Sequence, residues 1–286
     1  MSGKASMEWR TGEVTSRDGA TIAALSVGQG PGLVVIPGNN RRAHHYQALA
    51  QELSGAHSVH VIERRGRGQS DPQGPDYSVE TEVDDALAVM DHTGAGLVFG
   101  HSYGGLIALH LGLRRRVAAL VVYEPGVSIG GSFPAHWLPS FTRLLEEGRH
   151  AAAMAVFLKA TRLTPIGDAP TPVFRALAFM LLRGADGRDT RAMMATTPAE
   201  IREIIRLDSD GARYASVDSP TLLLGGDKSP DYLTRVLPYL GHIMPDARHE
   251  ILPGLDHNAP DLNAPAVIAE RFRTFVQSRL PGERTG

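Results

Sequence analysis

The chain has 286 residues, a length that permits one large α/β domain or two small ones. Hydrophobic residues make up 42% of it and charged residues 21%, which excludes a disordered, collagen-like or coiled-coil protein. The 29 basic and 31 acidic residues give a net charge of −2, which argues against nucleic acid as a partner, and the absence of cysteine excludes disulfide scaffolds, thiolate metal sites and a cysteine nucleophile.

The first predicted elements are two strands, at 8–14 and 21–27, which a Ser-Arg-Asp-Gly turn joins into an antiparallel hairpin. Further along, short runs of Val, Ile and Leu predict buried strands, and apolar residues at helical spacing predict helices between them. These strands are 32–36, 58–62, 96–99, 118–123, 221–224 and 250–252, and these helices are 46–53, 80–90, 106–113 and 267–280. The alternation predicts an α/β fold with a mainly parallel sheet covered on both faces.

The alternation stops after Tyr123 and resumes at Thr221. The intervening stretch is helical in pattern with Pro and Gly breaks, and we interpret 126–215 as a helical lid inserted into a core of 1–125 and 216–286. Most of its large apolar side chains are expected to bury each other. A few are candidates for the substrate pocket, and these are Trp137, Phe141 and Phe157.

Targeting and membrane segments are not predicted. The first 21 residues lack the apolar core of a signal peptide, and no segment approaches the roughly 18 apolar residues of a membrane helix. We therefore expect a cytoplasmic monomer or homodimer that acts on a small molecule and has no membrane partner.

The sequence Gly-His-Ser-Tyr-Gly-Gly at 100–105 lies directly between a predicted strand and a predicted helix. Where a strand turns abruptly into a helix, the backbone is strained at the residue in the centre of the turn. Gly100 and Gly104 leave room for such a turn. The turn lifts the Ser102 hydroxyl above the sheet edge and places the Tyr103 N–H at a helix N-terminus, where a developing anion is stabilised. We therefore predict Ser102 as the nucleophile and Tyr103 as a donor of an oxyanion hole.

With this motif the chain resembles a serine hydrolase of the α/β-hydrolase superfamily, from about residue 12 to residue 280 outside the predicted lid. Val-Val-Ile-Pro-Gly-Asn at 34–39 resembles that family's oxyanion loop, which more often has His before its glycine. The segment 62–70 resembles its Asp-x-Arg-Gly-x-Gly-x-Ser loop, with Glu63 in the usual Asp position. The resemblance implies an α/β-hydrolase fold with a twisted sheet, and a reaction that needs no metal or organic cofactor.

A serine hydroxyl needs a histidine to take its proton and a carboxylate to orient that histidine, and the family's chain order is Ser, then Asp or Glu, then His. We predict His257 as the base, because its loop follows a candidate strand and precedes the last helix, whereas His249 precedes that strand. Asp227, at the carboxyl end of strand 221–224, is the predicted acid. Glu124, after the preceding strand, is the alternative.

The second oxyanion donor is expected to be the backbone N–H of Asn39, with Gly38 permitting close approach. The side chains of Asn39 and Asn40 are interpreted either as substrate ligands or as turn formers. Arg41 and Arg42 are expected to be a solvated surface pair, with a carboxylate of the substrate or of the protein as the alternative partner.

These residues predict hydrolysis of an ester-type bond, in a carboxylic ester, lactone or thioester, through an acyl-enzyme on Ser102. The lid composition indicates a moderately hydrophobic substrate of small to medium size. Two alternatives stay open: a lyase, cyclase or carbon–carbon bond hydrolase that uses the same residues as acid and base, and a binding module, since a fold does not fix a function.

Overall fold

A computed structural model describes residues 8–164, 166–167 and 169–279 of the chain, and its centre is a sheet of eight strands. The strands are β1 (Arg10–Thr15), β2 (Thr21–Val27), β3 (Gly32–Ile36), β4 (Ser58–Ile62), β5 (Leu97–His101), β6 (Ala119–Tyr123), β7 (Thr221–Gly226) and β8 (Ala247–Leu252). Their order across the sheet is β1-β2-β4-β3-β5-β6-β7-β8.

The sheet is mostly parallel. β1 and β2 form the predicted antiparallel hairpin, and β2 pairs antiparallel with β4, while the remaining neighbours are parallel. The prediction of an α/β fold with a mainly parallel sheet is therefore confirmed. Because parallel strands end at the same edge, the segments that follow β3, β5 and β6 meet there, and this edge holds the candidate site.

The helices are α1 (Gln47–Leu53), α2 (Val79–Thr93), α3 (Tyr103–Arg114), α4 (Leu138–Glu146), α5 (His150–Thr161), α6 (Thr171–Leu181), α7 (Gly184–Met194), α8 (Thr197–Arg206), α9 (Asp231–Thr234), α10 (Val236–Ile243) and α11 (Pro265–Arg279). Short helical turns lie at Ala43–Tyr46, Ala212–Ser216 and Ala259–Asn263. In the part of the chain that the structure describes, no helix is long and apolar enough to cross a membrane.

Helices cover both faces of the sheet because the side chains of a buried strand point alternately to its two faces. In β3, Leu33 and Val35 pack in one cluster with α1 and α11, whereas Val34 and Ile36 pack in the other with α2 and α3. All four side chains are at most 1% exposed. A strand buried on both faces therefore needs the continuous apolar run that the sequence showed.

Several element boundaries differ from the prediction, among them the start of β8, and one predicted boundary lies outside the described residues. β8 begins at Ala247, three residues before the predicted start at Glu250, and His249 therefore lies within the strand. Residues 247–251 of this edge strand are half-buried or exposed, so their sequence lacks the apolar run of a central strand. The predicted end of the last helix, Leu280, lies outside the described residues.

Helices α4 to α8 lie between β6 and β7, and we call them the inserted helices. They occupy the stretch that was predicted to be helical, and large apolar side chains of this stretch are buried, among them Trp137, Phe141, Phe174 and Met194. The division of the chain into a core of 1–125 and 216–286 and a lid of 126–215 stays a prediction.

Candidate active site

Ser102 lies at the turn from β5 into α3. Its backbone has φ 56° and ψ −121°, a conformation that costs a non-glycine residue strain energy. The flanking glycines have no room for a side chain, since a Cβ on Gly100 would lie 2.5 Å from the Gly104 carbonyl oxygen, and one on Gly104 would lie 2.1 Å from that of Ile36. The strand, sharp turn and helix thus lie where the motif predicts them.

His257 connects two other groups of the site. Its Nε2 lies 3.1 Å from Ser102 Oγ, and its Nδ1 lies 2.6 Å from Glu124 Oε2. A carboxylate only accepts hydrogen bonds, so the Nδ1–H donates to Glu124 and Nε2 is free to accept the serine proton. The structure therefore brings the predicted nucleophile and the predicted base together.

Glu124 is the residue directly after β6, and its side chain is 0% exposed. Its backbone has φ 45°, and its N–H donates to the Leu224 carbonyl oxygen at 2.8 Å. One carboxylate oxygen accepts the Gly226 N–H at 2.8 Å, and the other accepts from His257. The alternative acid is thus buried, held by β7 and aimed at the imidazole.

The structure does not bring Asp227 to His257, and the prediction of Asp227 as the acid was wrong. Its Oδ1 accepts the Gly254 N–H at 2.7 Å, and its side chain is 41% exposed. The carboxylate therefore holds the turn after β8. The position facing the Nδ1 of His257 is occupied by Glu124 from the neighbouring strand.

The predicted oxyanion donors flank Ser102. Tyr103 is the first residue of α3, and Gly38 brings the preceding loop close, since a Cβ there would lie 3.1 Å from Ser102 Cβ. The Asn39 amide donates to Glu200 Oε2 at 2.8 Å, and Asn40, with φ 53°, donates to Asn39 Oδ1 at 2.7 Å. Both side chains are therefore engaged within the protein, and the donor role of the two backbone N–H groups stays a prediction.

A chain of hydrogen bonds connects three loops of the site beneath Ser102. The Gly38 N–H donates to the Tyr46 hydroxyl at 3.0 Å, and that hydroxyl lies 2.7 Å from His101 Nδ1. The His101 Nε2 lies 2.9 Å from the His257 carbonyl oxygen, which only accepts, so Nε2 carries the proton and Nδ1 accepts from Tyr46. Burial, followed by the charges of His257 and Arg41, holds the pKa of His101 well below 6.5.

Arg41 and Arg42 pair with carboxylates of the protein, so the expected solvated surface pair was wrong. Arg41 bonds to Asp261, and Arg42 lies 3.1 Å from Glu63 and 2.5 Å from Asp189. Burial lowers the pKa of both arginines, but the neighbouring carboxylates outweigh it and the pKa values are raised.

A cavity of about 500 Å³ lies above Ser102. Ser102 and His257 line it, and the wall is mainly apolar and includes side chains of the inserted helices. Gly38, Asn40 and Phe157 line this cavity, and their contact with a substrate stays a prediction. Other apolar residues in the wall include Phe133, Met154, Leu158, Leu177 and Ile204.

Trp137 and Phe141 do not line this cavity, and their prediction as pocket residues was wrong. Both rings pack against Phe157, with centroids 5.3 Å and 6.2 Å away from its ring. The Trp137 indole N–H donates to the Pro134 carbonyl oxygen at 2.6 Å. Trp137 and Phe141 therefore support the ring of Phe157, which lines the cavity.

Sequence reasoning missed several residues that contact the site. They include Tyr46, Arg64 and Glu200. Glu200 had a signal in the sequence, because it precedes Ile204 by four residues and so shares the apolar face of its helix. A carboxylate on a buried helix face needs a partner, but the sequence does not indicate which of the 29 basic residues supplies it.

Comparisons with known proteins agree with this fold. An alpha/beta hydrolase from Sphaerobacter thermophilus is 28% identical, with a TM-score of 0.76 over 92% of this chain and 99% of that one. Polyketide synthase ThaQ of Burkholderia thailandensis is 29% identical over 218 residues, 73% of this chain and 10% of that protein. Lipase LipV of Mycobacterium tuberculosis is 39% identical over 97 residues, 32% of this chain and 34% of that protein.

The chain thus spans about a tenth of ThaQ and about a third of LipV. A family model described as the alpha/beta hydrolase family matches residues 33–271, most of the chain. The match includes the turn at Ser102, the strand end at Glu124 and the loop of His257. The chain therefore belongs to the alpha/beta hydrolase family, which confirms the predicted fold class and the prediction of an enzyme of that class.

Proposed function

We propose that this protein is a serine hydrolase that cleaves the ester-type bond of a small to medium hydrophobic substrate through an acyl-enzyme. The observation that carries the proposal is the continuous hydrogen-bonded row from Ser102 through His257 to Glu124, beside a mainly apolar cavity that Ser102 and His257 line. A nucleophile, a base and an orienting carboxylate in contact are the arrangement that acyl transfer requires.

In the first step the Ser102 hydroxyl attacks the carbonyl carbon while His257 Nε2 takes its proton. Glu124 stabilises the imidazolium that forms, because its buried carboxylate faces Nδ1 at 2.6 Å. The carbonyl oxygen becomes an oxyanion, which accepts from the backbone N–H groups of Tyr103 and Asn39. His257 then protonates the leaving alcohol, and an acyl-serine remains.

In the second step water attacks the acyl-serine with the same imidazole as base. The acid is released, the proton returns to Ser102, and the site is restored. The chain of hydrogen bonds through His101 and Tyr46 keeps the His257 backbone and the oxyanion loop in register during both steps.

The cavity supports a hydrophobic acyl or alkyl group as the part of the substrate that lies away from the serine. Its volume of about 500 Å³ is in the range of sites for small molecules, and its wall beyond Ser102 is mainly apolar. The likeness to lipase LipV over 97 residues is in keeping with an ester as the bond cleaved.

The first experiment is labelling with a small fluorophosphonate probe, read as intact mass. We expect one adduct on the wild type, none on Ser102→Ala, and one on Ser278→Ala, which changes a serine of α11 outside the cavity. Absence of an adduct on folded wild type would contradict the acyl-enzyme and favour a reaction without one.

A series of p-nitrophenyl esters then tests the substrate class. Each CH₂ that the cavity buries is worth about 0.8 kcal/mol, so kcat/KM is expected to rise about fourfold per added CH₂ until the cavity is filled. The variant Phe157→Ala shortens the apolar wall and is expected to weaken this dependence. A kcat/KM that does not change with chain length would contradict an acyl or alkyl group in the cavity.

A further inference from the structure

Arg64 is a buried cation in contact with both segments that carry the proposed oxyanion donors. It follows β4, and it is 1% exposed. Its Nη1 donates to the carbonyl oxygens of Pro37 at 3.4 Å and Gly38 at 3.2 Å. Its guanidinium carbon lies 4.7 Å from the centre of the Tyr103 ring. Arg64 therefore lies between the loop of the second donor and the residue of the first.

The contact with Gly38 bears on the N–H of Asn39, because both belong to one peptide group. In a planar trans peptide the C=O and the N–H point in opposite directions, so a cation that holds the Gly38 oxygen also fixes the direction of the Asn39 N–H. A charged donor on the oxygen also polarises the peptide and strengthens its N–H as a donor. Both effects favour an oxyanion at Ser102.

Glu200, on helix α8, connects Arg64 to the inserted helices. Its carboxylate is 0% exposed, and its Oε1 lies 3.0 Å from Arg64 Nη2 and 2.6 Å from Arg67 Nη2. Its Oε2 accepts the Asn39 amide at 2.8 Å. Burial raises the pKa of the Glu200 carboxyl, but the two arginines and the Asn39 hydrogen bond outweigh it, so the pKa is lowered.

A second carboxylate fixes the plane of the Arg64 guanidinium. Glu82 of α2 accepts from its Nε at 2.9 Å and from its Nη2 at 2.6 Å, a two-point contact that a lysine cannot make. The remaining Nη1 is thereby directed at the oxyanion loop.

We propose that Arg64 is the positioning residue of the oxyanion hole, and that Glu200 makes this positioning depend on the docking of helix α8. The inference rests on the proposed acyl transfer and explains how the donors of its oxyanion hole are held in place. Arg64 touches neither Ser102 nor the substrate, and it acts through the Gly38–Asn39 peptide and Tyr103.

The test compares an ester with the matching thionoester, in which sulfur replaces the carbonyl oxygen. Sulfur is a weaker acceptor, so a hydrolase with an ordered oxyanion hole prefers the oxygen ester, and disorder of the hole reduces that preference. For Arg64→Met we expect a 10 to 100-fold lower kcat on the ester, a KM within about threefold, and a loss below about threefold on the thionoester.

Two further variants guard against misfolding, because Arg64→Met leaves Glu82 and Glu200 without their shared cation. Arg64→Lys keeps the charge, and Glu200→Gln keeps the shape, and both are expected to reduce the ester-to-thionoester ratio about 3 to 10-fold. Arg65→Met is the matched control: this neighbour is also buried, but it pairs with Asp85 and Asp18. We expect it to leave the ratio unchanged.

The positioning role would be overturned by equal losses of kcat on the ester and the thionoester, or by no loss in any of the Arg64 and Glu200 variants. These residues would then contribute to folding only. A wild type that hydrolyses neither substrate would overturn the proposed function, and the inference with it. The two failures are distinct because only the first occurs in an active wild-type enzyme.

Discussion

The ends of strands β6 and β7 lie side by side at the same edge of the sheet, and each is followed by a carboxylate in a different environment. Glu124, after β6, is 0% exposed and contacts His257. Asp227, after β7, has a side chain 41% exposed and contacts the backbone of Gly254. Acidic residues at equivalent strand ends therefore differ in their place in the structure. Glu124 is part of the site, and Asp227 is part of a surface turn.

The register of the sheet explains this difference. His101 pairs with Tyr123, and Tyr123 pairs with Leu224, so Glu124 is one residue beyond the level at which β5 ends. On β7 the corresponding position is Gly225, and Asp227 lies two residues further along and one strand further from the serine. Neighbouring strands are about 4.8 Å apart, more than the length of a hydrogen bond. Which carboxylate contacts the base therefore depends on strand register as well as on chain order.

The largest effect is expected for Glu124→Gln. The uncharged amide no longer stabilises the imidazolium or selects its tautomer, and the loss in kcat on a short ester is expected to be about 10³ to 10⁴-fold. Asp227→Asn, the matched change on the next strand, is expected to stay within about threefold of wild type. The measurement is kcat for both variants, with thermal unfolding to show that both are folded.

The reverse result, a large loss for Asp227→Asn and a small one for Glu124→Gln, would restore the acid that the sequence first favoured. It would require the loop of His257 to adopt a different position in solution. Similar moderate losses in both variants would contradict the division of roles between the two strand ends.

The sequence predicted the parts of this edge that depend on local pattern. The bounds of β3 and β4 were predicted to the residue, because their apolar runs are buried on both faces. Ser102 was found from a motif between a strand and a helix, and His257 from its loop. The start of β8 was missed because its first residues are half-buried or exposed.

The rest of the site depends on contacts between distant parts of the chain. The choice of Glu124 over Asp227 requires the strand register and the fold of the base loop, which chain order does not give. Arg64 and Glu200 are 136 residues apart, and neither has a local pattern that names the other. Such pairs follow from tertiary packing, and for this reason sequence reasoning placed the reacting groups better than the groups that hold them.

A smaller effect is expected on the pH dependence of stability, because the ends of β5 and β6 are shielded from solvent. Buried His101, at the end of β5, has a pKa well below 6.5 in the folded protein, chiefly because of burial. As the pH falls below 6.5 the unfolded chain takes up a proton that the folded protein does not, so stability decreases. This one group contributes up to about 1.4 kcal/mol per pH unit.

The variant His101→Gln is therefore expected to show a shallower decrease of the unfolding free energy between pH 6.5 and pH 5, measured by urea titration. His249→Gln is the control from the open side of the sheet, since this residue is exposed on β8. It is expected to leave the slope unchanged. An equal change of slope in both variants would contradict this prediction, because it would mean that His101 is no better shielded from solvent than His249.

The smallest effect concerns the stability of Asp227→Asn. The carboxylate accepts one hydrogen bond, from the Gly254 N–H, and it is partly exposed, so its replacement by an amide is expected to cost about 0.5 kcal/mol. The turn keeps a backbone bond without it, because the Asp227 N–H donates to the Leu252 carbonyl oxygen at 3.1 Å. A cost above about 2 kcal/mol in urea unfolding would contradict a surface role, since only a shielded group with several partners produces such a loss. Asp227 would then belong, with Glu124, to the buried part of the sheet edge.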